Sequence, residues 1–558
     1  MLDLKIDNAV IYDGTGNAPK TGSVGVLDGR IAAVGNVTAP AARKLDAKGL
    51  ALMPGIIDTH THYDAQITWD AFANPSPALG VTTVVMGNCG FTIAPCRPQD
   101  RDLTMRNLTH VEGMSLEALR AGIDWGFESF PEYLEMLERK GVGPNVAVFV
   151  GHSGVRTFVM REEAPRRAAT AEEIARMRAI VLEAMEAGAC GFSTTRSYQH
   201  NGEAGIPMPS RLAAEQELER LSGALREIGK GLLMMTKASD TPIGWIESLA
   251  GLADRPYLVA ALLHSNLTPE ATFEDLQQIA EARARGRRLY GAVSVCPLNF
   301  EFTLHEPYVF EGLAAWQPLM KMDEPRVKTT LADPSFRQRL KDELAKRSRR
   351  MFTGEWDKAF VARVADPAHG RFEGRSIQAL ARQEDVHPVD FMLDLALSED
   401  LDTLFTATLL NSDEDAVGRM LNDENAIVSL SDAGAHLTFL CDAGFGLHLL
   451  GHWVRERKAM PIERAVKKLT LEPAQLFGLR GRGSIAPGNW ADLLLFDPAT
   501  VGRGPSRRVY DLPAGASRID TPALGVHGVW VNGQLIADAH GLRADAPRAG
   551  QVLRDFAA

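Results

Sequence analysis

Three features are missing from this sequence, and each absence removes a class of protein. No apolar run reaches the roughly 18 residues of a membrane-spanning helix, and residues 1–10 show no charged-then-apolar signal pattern. Cysteine is scarce: the five cysteines are odd in number and scattered, so they form neither a CxxC pair nor a disulfide framework. We therefore expect a protein of the reducing cytoplasm that has no membrane partner.

A net positive charge is also missing. The chain carries 60 basic and 71 acidic residues, a formal net charge of −11, which argues against nucleic acid as the main partner. Its 45% hydrophobic and 23% charged residues are ordinary for a globular enzyme. The 558 residues suffice for a large barrel and a second domain. We expect a small-molecule substrate, and the sequence leaves open whether the chain forms a homo-oligomer.

The two ends of the chain show the same pattern, in which short apolar runs are separated by turn signals. Asp13-Gly14 and Asp28-Gly29 punctuate the first 50 residues, and a hairpin is indicated around Asn532-Gly533. We predict that residues 2 to about 50 form a small antiparallel β unit, and that residues 1–51 and 481–558 combine into one small β-sandwich domain. The alternative is two unrelated β appendages.

Eight candidate buried strands lie between these ends, and most precede a segment of helix length, of which 170–187 and 209–228 are the clearest. This alternation is typical of an α/β fold, a TIM-like (β/α)8 barrel, here over 52–480. Such barrels carry their chemistry at the C-terminal ends of the strands. The candidates are 52–58, 81–87, 145–152, 189–195, 232–237, 258–264, 290–296 and 426–432.

The connection between predicted strands seven and eight is too long for one crossover. Segments 331–350 and 386–398 inside it show helical patterns. We predict an insertion at about 300–424 that packs over the mouth of the barrel, and a further helix at 129–139 before strand three.

Strand one ends in a His-x-His pattern. Side chains alternate along an extended chain, so His60 and His62 point to the same side. Two neutral imidazoles placed in this way can share a divalent metal. The pattern alone fits equally well a pair of hydrogen-bonded histidines at a strand end.

Further candidates for ligands or acid–base groups follow other predicted strands. Each has a structural explanation when taken alone: Cys89 could be a small buried apolar residue, His264 a satisfied polar one, and Asp432 a turn cap. Their joint position at one rim favours a site, because buried ionisable groups are costly unless they are paired or bind metal. The candidates are Cys89 after strand two, His152 after strand three, Lys237 after strand five, His264 after strand six and Asp432 after strand eight.

Residues 54–64, which read PGIIDTHTHYD, resemble the first-strand signature of the metal-dependent amidohydrolase superfamily. Residues 80–90, 151–156, 465–479 and 481–492 are similar to motifs of the D-aminoacylase (N-acyl-D-amino-acid deacylase) family. The resemblance implies one or two Zn²⁺ ions, with Cys89 as a ligand where many relatives carry a carboxylated lysine on strand four. Residues 191–196 contain no lysine, which is consistent with that role for Cys89.

The sequence departs from this family in two places. The resemblance implies a histidine ligand after strand five, where this chain has Lys237. A protonated lysine cannot bind metal, so Lys237 is either carboxylated, or deprotonated by burial, or a substrate-binding cation beside a differently built centre. The family also carries an arginine soon after the position of Asp432, implied to hold the substrate carboxylate. Residues 437–444 contain no basic residue.

Our hypothesis from the resemblance is hydrolysis of the amide bond of an N-acyl-D-amino acid by zinc-activated water. Asp432 would accept the proton of the water and pass it to the leaving nitrogen, while His152 would hydrogen-bond the carbonyl oxygen. The alternatives are a hydrolase that opens a cyclic amide, imide or lactone, and a metal-depleted binding protein on the same fold. The predicted metal ligands are His60, His62, Cys89, Lys237 and His264.

Overall fold

The computed structural model describes residues 1–348, 350–438 and 440–557. The strands are β1 (Leu2–Ile11), β2 (Lys20–Leu27), β3 (Arg30–Gly35), β4 (Ala41–Asp46), β5 (Ala51–Pro54), β6 (Ile56–Asp58), β7 (Val81–Met86), β8 (Asn145–Gly151), β9 (Gly191–Thr195), β10 (Leu232–Thr236), β11 (Tyr257–Leu262), β12 (Leu289–Val293), β13 (Leu298–Phe302), β14 (Ala359–Arg363), β15 (Leu404–Leu410), β16 (Ala426–Val428), β17 (Leu493–Phe496), β18 (Gly502–Arg503), β19 (Arg507–Val509), β20 (Arg518–Asp520), β21 (Ala523–Leu524), β22 (Val526–Val531), β23 (Gln534–Asp538) and β24 (Gly541–Leu542).

The α-helices connect most of these strands, and a π-helical stretch follows α14 at Leu449–Glu456. No described helix is long and apolar enough to cross a membrane. The helices are α1 (Arg101–Val111), α2 (Leu116–Gly122), α3 (Phe130–Lys140), α4 (His152–Met160), α5 (Ala171–Ala187), α6 (Glu215–Ile228), α7 (Ile243–Ala253), α8 (Ala271–Ala284), α9 (Glu324–Ala332), α10 (Pro334–Leu344), α11 (Ile377–Gln383), α12 (Pro388–Ser398), α13 (Glu414–Asn422), α14 (Phe445–His448), α15 (Ile462–Leu469) and α16 (Leu471–Phe477).

Eight strands form one parallel sheet in the order β16-β12-β11-β10-β9-β8-β7-β6. Strands β7 to β10 are buried along their whole length, as expected for parallel strands covered on both faces. The outer strands β6 and β16 meet beyond their ends, where the backbone N–H of His62 donates to the carbonyl of Ala433 (2.7 Å) and the hydroxyls of Thr59 and Ser429 bond (2.7 Å). This arrangement fits the predicted TIM-like barrel.

Local sequence sets where the barrel helices begin. Thr170 and Ser129 each form a capping box with the glutamate three residues on, so α5 and α3 begin where the sequence predicts. The predicted helix 209–228 is shorter than expected. Residues Pro209–Leu212 form a single 3-10 turn, and α6 begins only at Glu215, after Ala214 in an extended conformation.

The two ends of the chain share one nine-stranded sheet, since β5 pairs antiparallel with β17. This pairing excludes two unrelated appendages. Asn532 and Gly533 both have positive φ in the turn between β22 and β23, as a type I′ hairpin requires. The prediction of an antiparallel N-terminal unit is wrong in one respect: β1 pairs antiparallel with β2, but it pairs parallel with both β4 and β5.

The long connection between the seventh and eighth barrel strands, β12 and β16, builds its own sheet, in the order β13-β15-β14. A separate hydrophobic core packs around this sheet, with Phe310, Trp316 and Phe405 among its buried side chains. The predicted helix 331–350 is interrupted at Asp333-Pro334, where Asp333 caps α10. The predicted helix 386–398 corresponds to α12.

A buried polar network joins the terminal sheet to the barrel. The guanidinium of Arg482 bonds the carboxylate of Asp492, which also accepts from the side-chain amide of Asn145 (3.1 Å) and from the backbone N–H of Asn532 (2.8 Å). Asn145 begins barrel strand β8, whereas Asp492 and Asn532 flank strands of the terminal sheet. One buried carboxylate therefore links the terminal sheet to the barrel sheet.

Replacing Arg482 with methionine should lower the free energy of unfolding by about 3 kcal/mol, because the substitution leaves the Asp492 carboxylate buried with only neutral donors. Urea unfolding followed by fluorescence measures this change. Arg480→Met is the matched control: Arg480 pairs with Asp555 at the surface, with side chains 60% and 82% exposed, and its loss should leave the transition where it was. Equal destabilisation by both variants would contradict the role of the network.

Candidate metal centre

His60 and His62 lie just beyond the end of β6, and both are almost fully buried. Their ring centroids are 5.3 Å apart. The ladder contact of His62 with Ala433 keeps this segment extended past the end of the strand, so the two side chains emerge on the same side, as predicted.

Cys89 faces these histidines from the turn after β7. Gly87 and Cys89 both have positive φ (81° and 56°), and this tight turn directs the thiol back over the end of the barrel. The Cys89 Sγ lies 3.5 Å from the Nε2 of His60. The ligand atoms of His60, His62 and Cys89 all lie within 4.8 Å of one another.

Asp432 completes the cluster from beyond the end of β16. Its Oδ1 lies 3.1 Å from the Nε2 of His60 and 3.6 Å from the Nε2 of His62, and a quarter of the side chain is exposed. Leu430 and Asp432 have positive φ (66° and 48°), a conformation that costs energy in residues other than glycine and that recurs at functional sites. A β-carbon added at Gly434 would approach the backbone of His62 to 2.7 Å, so the loop after Asp432 packs against strand one only because this residue is glycine.

The charges of the cluster depend on one another. Burial alone would lower the pKa of His60, but the neighbouring Cys89 and Asp432 outweigh it and raise that pKa to about 9. Burial would raise the pKa of Cys89, and His60 and His62 instead lower it to about 7. Burial likewise opposes ionisation of Asp432, yet the same histidines hold its pKa well below the usual range.

These residues fit a zinc ion. Two imidazoles, a thiolate and a carboxylate form a donor set that Zn²⁺ accepts. The electrostatics already favour the thiolate and carboxylate forms that ligation requires. An ion that binds here replaces the protons on the two histidines, since a ligating imidazole is neutral.

Glu112 supports His62, and no sequence motif identifies it. Its carboxylate is buried just beyond the end of α1, with Oε1 3.3 Å from the Nδ1 of His62. Burial raises the pKa of Glu112 despite the nearby imidazole. A carboxylate behind a metal-binding histidine fixes the ring orientation and the tautomer. The sequence gives no signal for this role, because Glu112 lies in an unremarkable polar stretch between strands two and three.

The structure does not bring Lys237 to the cluster. Side chains alternate along β10, and Thr236 is the residue that faces inward, with Oγ1 3.1 Å from the Cys89 Sγ. Lys237, the next residue, lines the cavity beside Asp432, and its Nζ contacts both carboxylate oxygens of Asp275 on α8 (3.0 and 3.2 Å). A carboxylated lysine would carry a negative charge against this aspartate, so the pair fits the ammonium form and not a metal ligand.

His264 also lies outside the cluster. Strand β11 ends at Leu262, so His264 belongs to the following loop, where its backbone N–H donates to Asn411 Oδ1 (2.7 Å). Its ring packs on Phe273. Burial lowers the pKa of His264, and the charged groups that act on its imidazole, including Asp413 and Glu270, are not members of the cluster. The predicted ligation by His264 therefore has no geometric support.

His152 is buried behind the cluster, at the start of α4. Its Nδ1 bonds Thr194 Oγ1 and its Nε2 bonds Glu217 Oε1, both at 2.8 Å. Glu217 is in turn held by Arg156, and the side chains of all three residues are completely buried. Both ring nitrogens are thus committed to protein partners, which does not favour the predicted contact with a substrate carbonyl.

A cavity of about 280 Å³ opens beside Asp432, between the barrel rim and the insertion. Phe300 and Tyr308 come to its wall from the insertion, and His200 and His436 come from the rim. Burial holds the pKa of His200 well below its usual range and lowers the pKa of His436 to about 4, so both rings are neutral at pH 7. Sequence reasoning missed both histidines, although the position of His436, four residues after Asp432, was an available signal.

Glu112→Gln should weaken zinc binding about 10–100-fold, because the amide cannot hold His62 as the carboxylate does. Equilibrium dialysis against a zinc chelator of known affinity measures the change. Cys89→Ala, which removes a predicted ligand, should lose most of the zinc while the fold is kept, as circular dichroism can verify. Wild-type zinc affinity in Glu112→Gln would rule out an orienting role for this carboxylate.

Known proteins resemble this chain along its whole length. A D-aminoacylase of Alcaligenes xylosoxydans xylosoxydans is 28% identical over 562 residues, which cover 100% of this chain and 98% of that protein. The structure of an N-acyl-D-glutamate deacylase from Bordetella bronchiseptica, complexed with zinc and a phosphonate mimic of the tetrahedral intermediate, is 26% identical with a TM-score of 0.66, covering 99% of this chain and 100% of the other. A D-aminoacylase structure described by its binuclear metal centre is 25% identical, with a TM-score of 0.67 and full coverage of both chains.

A family model gives the assignment. The model described as the amidohydrolase family matches residues 43–537, which run from the terminal sheet through the barrel and the insertion and back to the terminal sheet. The match includes every residue of the cluster described above. The chain belongs to the amidohydrolase family.

Proposed function

We propose that this protein hydrolyses the amide bond of N-acyl-D-amino acids, with a zinc ion held by His60, His62 and Cys89. The observation that carries the proposal is the position of Asp432: its carboxylate lies 3.1 Å from His60, and the residue lines the cavity beside the cluster. The relatives named above supply the reaction class, since those similar over the full length are deacylases of N-acyl-D-amino acids by name.

When bound, zinc lowers the pKa of a coordinated water to about 7 and polarises a carbonyl group. His60, His62 and Cys89 would hold the ion, and Glu112 would keep His62 in the ligating orientation. Cys89 contributes as the thiolate, the form that zinc requires.

Asp432 is the group that moves the proton. The two histidines keep its pKa well below the usual range despite burial, so it is ionised at neutral pH and can accept a proton from the attacking water. Its side chain is a quarter exposed and lines the cavity, where the leaving nitrogen of the substrate would lie and would receive the proton from it. One residue thus acts first as base and then as acid.

A neutral imidazole in the cavity can donate to the carbonyl oxygen as negative charge develops. We assign this role to His436 in place of His152. His436 lines the cavity on the same loop as Asp432, and its lowered pKa keeps it from competing for the proton of Asp432.

A second candidate, the opening of a cyclic amide, imide or lactone, is favoured by one feature of the cavity. Its described cationic side chains already have protein partners: Lys237 is paired with Asp275, and Arg350 donates to the carbonyls of Phe352, Glu343, Lys346 and Leu344. A cyclic substrate needs no cation for a free carboxylate. No observation favours a metal-depleted binding protein, because the cluster retains its donors.

We further propose the predicted division into a barrel over 52–480, with an insertion at about 300–424, and a small β-sandwich domain from 1–51 and 481–558. The shared terminal sheet and the separate core of the insertion support it. The five free cysteines are in keeping with a reducing cytoplasm.

Asp432→Asn should lower turnover by about 10²–10⁴-fold, because the amide keeps the size of the side chain but cannot accept a proton. Zinc content should fall less than in Cys89→Ala, since Asp432 is at most one ligand among several. Turnover and zinc content of both variants are measured side by side. Asp415→Asn, which changes an exposed aspartate, is the control and should match the wild type. Near-normal turnover of Asp432→Asn would place the base elsewhere.

The substrate class is tested with matched N-acetyl-D-amino acids, N-acetyl-L-amino acids and cyclic imides. We expect the D series to be hydrolysed at least tenfold faster than the L series, as the deacylase relatives suggest. Hydrolysis confined to the cyclic imides would instead support the second candidate. The absence of activity on the whole panel with zinc-loaded protein would count against both.

A further inference from the structure

Cys89 has a second neighbour besides His60, and this neighbour is the hydroxyl group of Thr236 and not a metal ligand. Thr236 is the inward-facing residue at the end of β10, and its Oγ1 lies 3.1 Å from the Cys89 Sγ. Cys89 is therefore enclosed by the Nε2 of His60 at 3.5 Å on one side and by this hydroxyl on the other. An ion that used this second side of the sulfur would need further donors from the neighbouring strands.

The neighbouring strands do not supply those donors in the described part of the chain. Strand β9 ends at Thr195, whose hydroxyl bonds the Nδ1 of His200 (2.7 Å). Lys237 is paired with Asp275 on α8, and His264 lies in the loop after β11, where its backbone N–H donates to Asn411. The donors that converge all come from the first, second and eighth barrel strands.

We infer that the metal centre of this protein holds a single ion, on His60, His62 and Cys89, and that the Thr236 hydroxyl fills the place beside Cys89 that a second ion would occupy. The inference rests on the zinc-dependent function proposed above and specifies its centre. It separates this chain from the similar D-aminoacylase whose metal centre is binuclear.

The buried charges agree with this assignment. A second divalent ion next to β10 would add positive charge close to the Lys237 ammonium, which is itself buried, with a side chain only 4% exposed. Asp275 balances Lys237, so no carboxylate of this pair is left to balance another cation. Adding uncompensated charge to a buried site is costly.

The Thr236 hydroxyl also has a positioning role. When Cys89 is a thiolate, the hydroxyl is the donor in their contact, and a donor to a ligand sulfur orients the sulfur and tunes its affinity for metal. Thr236 acts through Cys89 and not on the substrate. Thr236→Val removes the donor with little change in volume, while Thr236→Ser keeps it.

Metal counting tests the inference without recourse to activity. Chelator-stripped protein is titrated with Co²⁺, and the ions bound per chain are counted by native mass spectrometry, while the thiolate-to-cobalt absorption band reports on Cys89. We expect both signals to saturate together at one ion per chain. Saturation at two ions of comparable affinity would overturn the inference and leave the proposed function standing. No bound cobalt at all would overturn the proposed function, and the inference with it.

Variants locate the ion. His264→Ala and Lys237→Met should each still bind one Co²⁺ with an unchanged absorption band, and intact mass should show Lys237 without an added carboxyl group. Loss of the ion in His264→Ala, which disturbs no ion pair, would overturn the inference even if Lys237→Met fails to fold. Thr236→Val should weaken Co²⁺ binding about tenfold, with Thr236→Ser restoring it. Equal affinities in Thr236→Val, Thr236→Ser and the wild type would remove the positioning role.

Discussion

The contact between the first and eighth barrel strands beyond their ends is the constraint on which the site depends. The hydrogen bond from His62 to Ala433 and the close packing of Gly434 on the backbone of His62 fix the distance between the two segments. Asp432 lies next to this contact, so its carboxylate is held near both histidines by backbone geometry and not by its own flexibility. If Asp432 is the proposed base, a carboxylate held in this way loses little entropy when the reaction begins.

Positive φ angles recur where the cluster is built. Cys89, Leu430, Asp432 and His436 all adopt this conformation, although none is glycine. Each such residue costs of order 1–3 kcal/mol, and the surrounding barrel must compensate. The fully buried strands β7 to β10 provide a rigid frame for that purpose. The stability of the barrel therefore compensates the energetic cost of holding a few residues at its rim in strained conformations.

Sequence reasoning located the barrel strands to within a few residues, because buried parallel strands give continuous apolar runs. It also placed His60, His62, Cys89 and Asp432 at strand ends, and the structure brings these four together. It could not decide which of two adjacent residues faces inward once a strand is ending. Lys237 and Thr236 differ by one position, and a shift of one residue exchanges the two faces of a strand.

Glu112, His200 and His436 show a second limit of the sequence. Their roles arise from contacts between segments that are distant along the chain. Glu112, for example, belongs to the segment that connects strands two and three, and its carboxylate lies 3.3 Å from His62. His152 shows the converse. Its place at the end of strand three predicts a functional residue. The structure instead places it in a buried network with Glu217 and Arg156, and Glu217 lies 61 residues from Arg156 along the chain. A position at the end of a strand shows that a residue lies near the site, but it does not show in which direction the side chain points.

Charge balance links these observations to the number of metal ions. One divalent ion on the cluster is matched by the Cys89 thiolate and the Asp432 carboxylate. The other nearby carboxylates are held in a different state: burial raises the pKa of Asp58 and of Asp64 to about 7 and also raises that of Glu112. Each of them also has a partner of its own beside the first two strands: Asp58 accepts from the backbone N–H of His60 (3.3 Å), Asp64 accepts from the backbone N–H of Gly87 (2.9 Å), and Glu112 lies 3.3 Å from His62. The proposed single-ion centre therefore relies on Cys89 and Asp432 for its balancing charge, since a buried charge must be compensated locally.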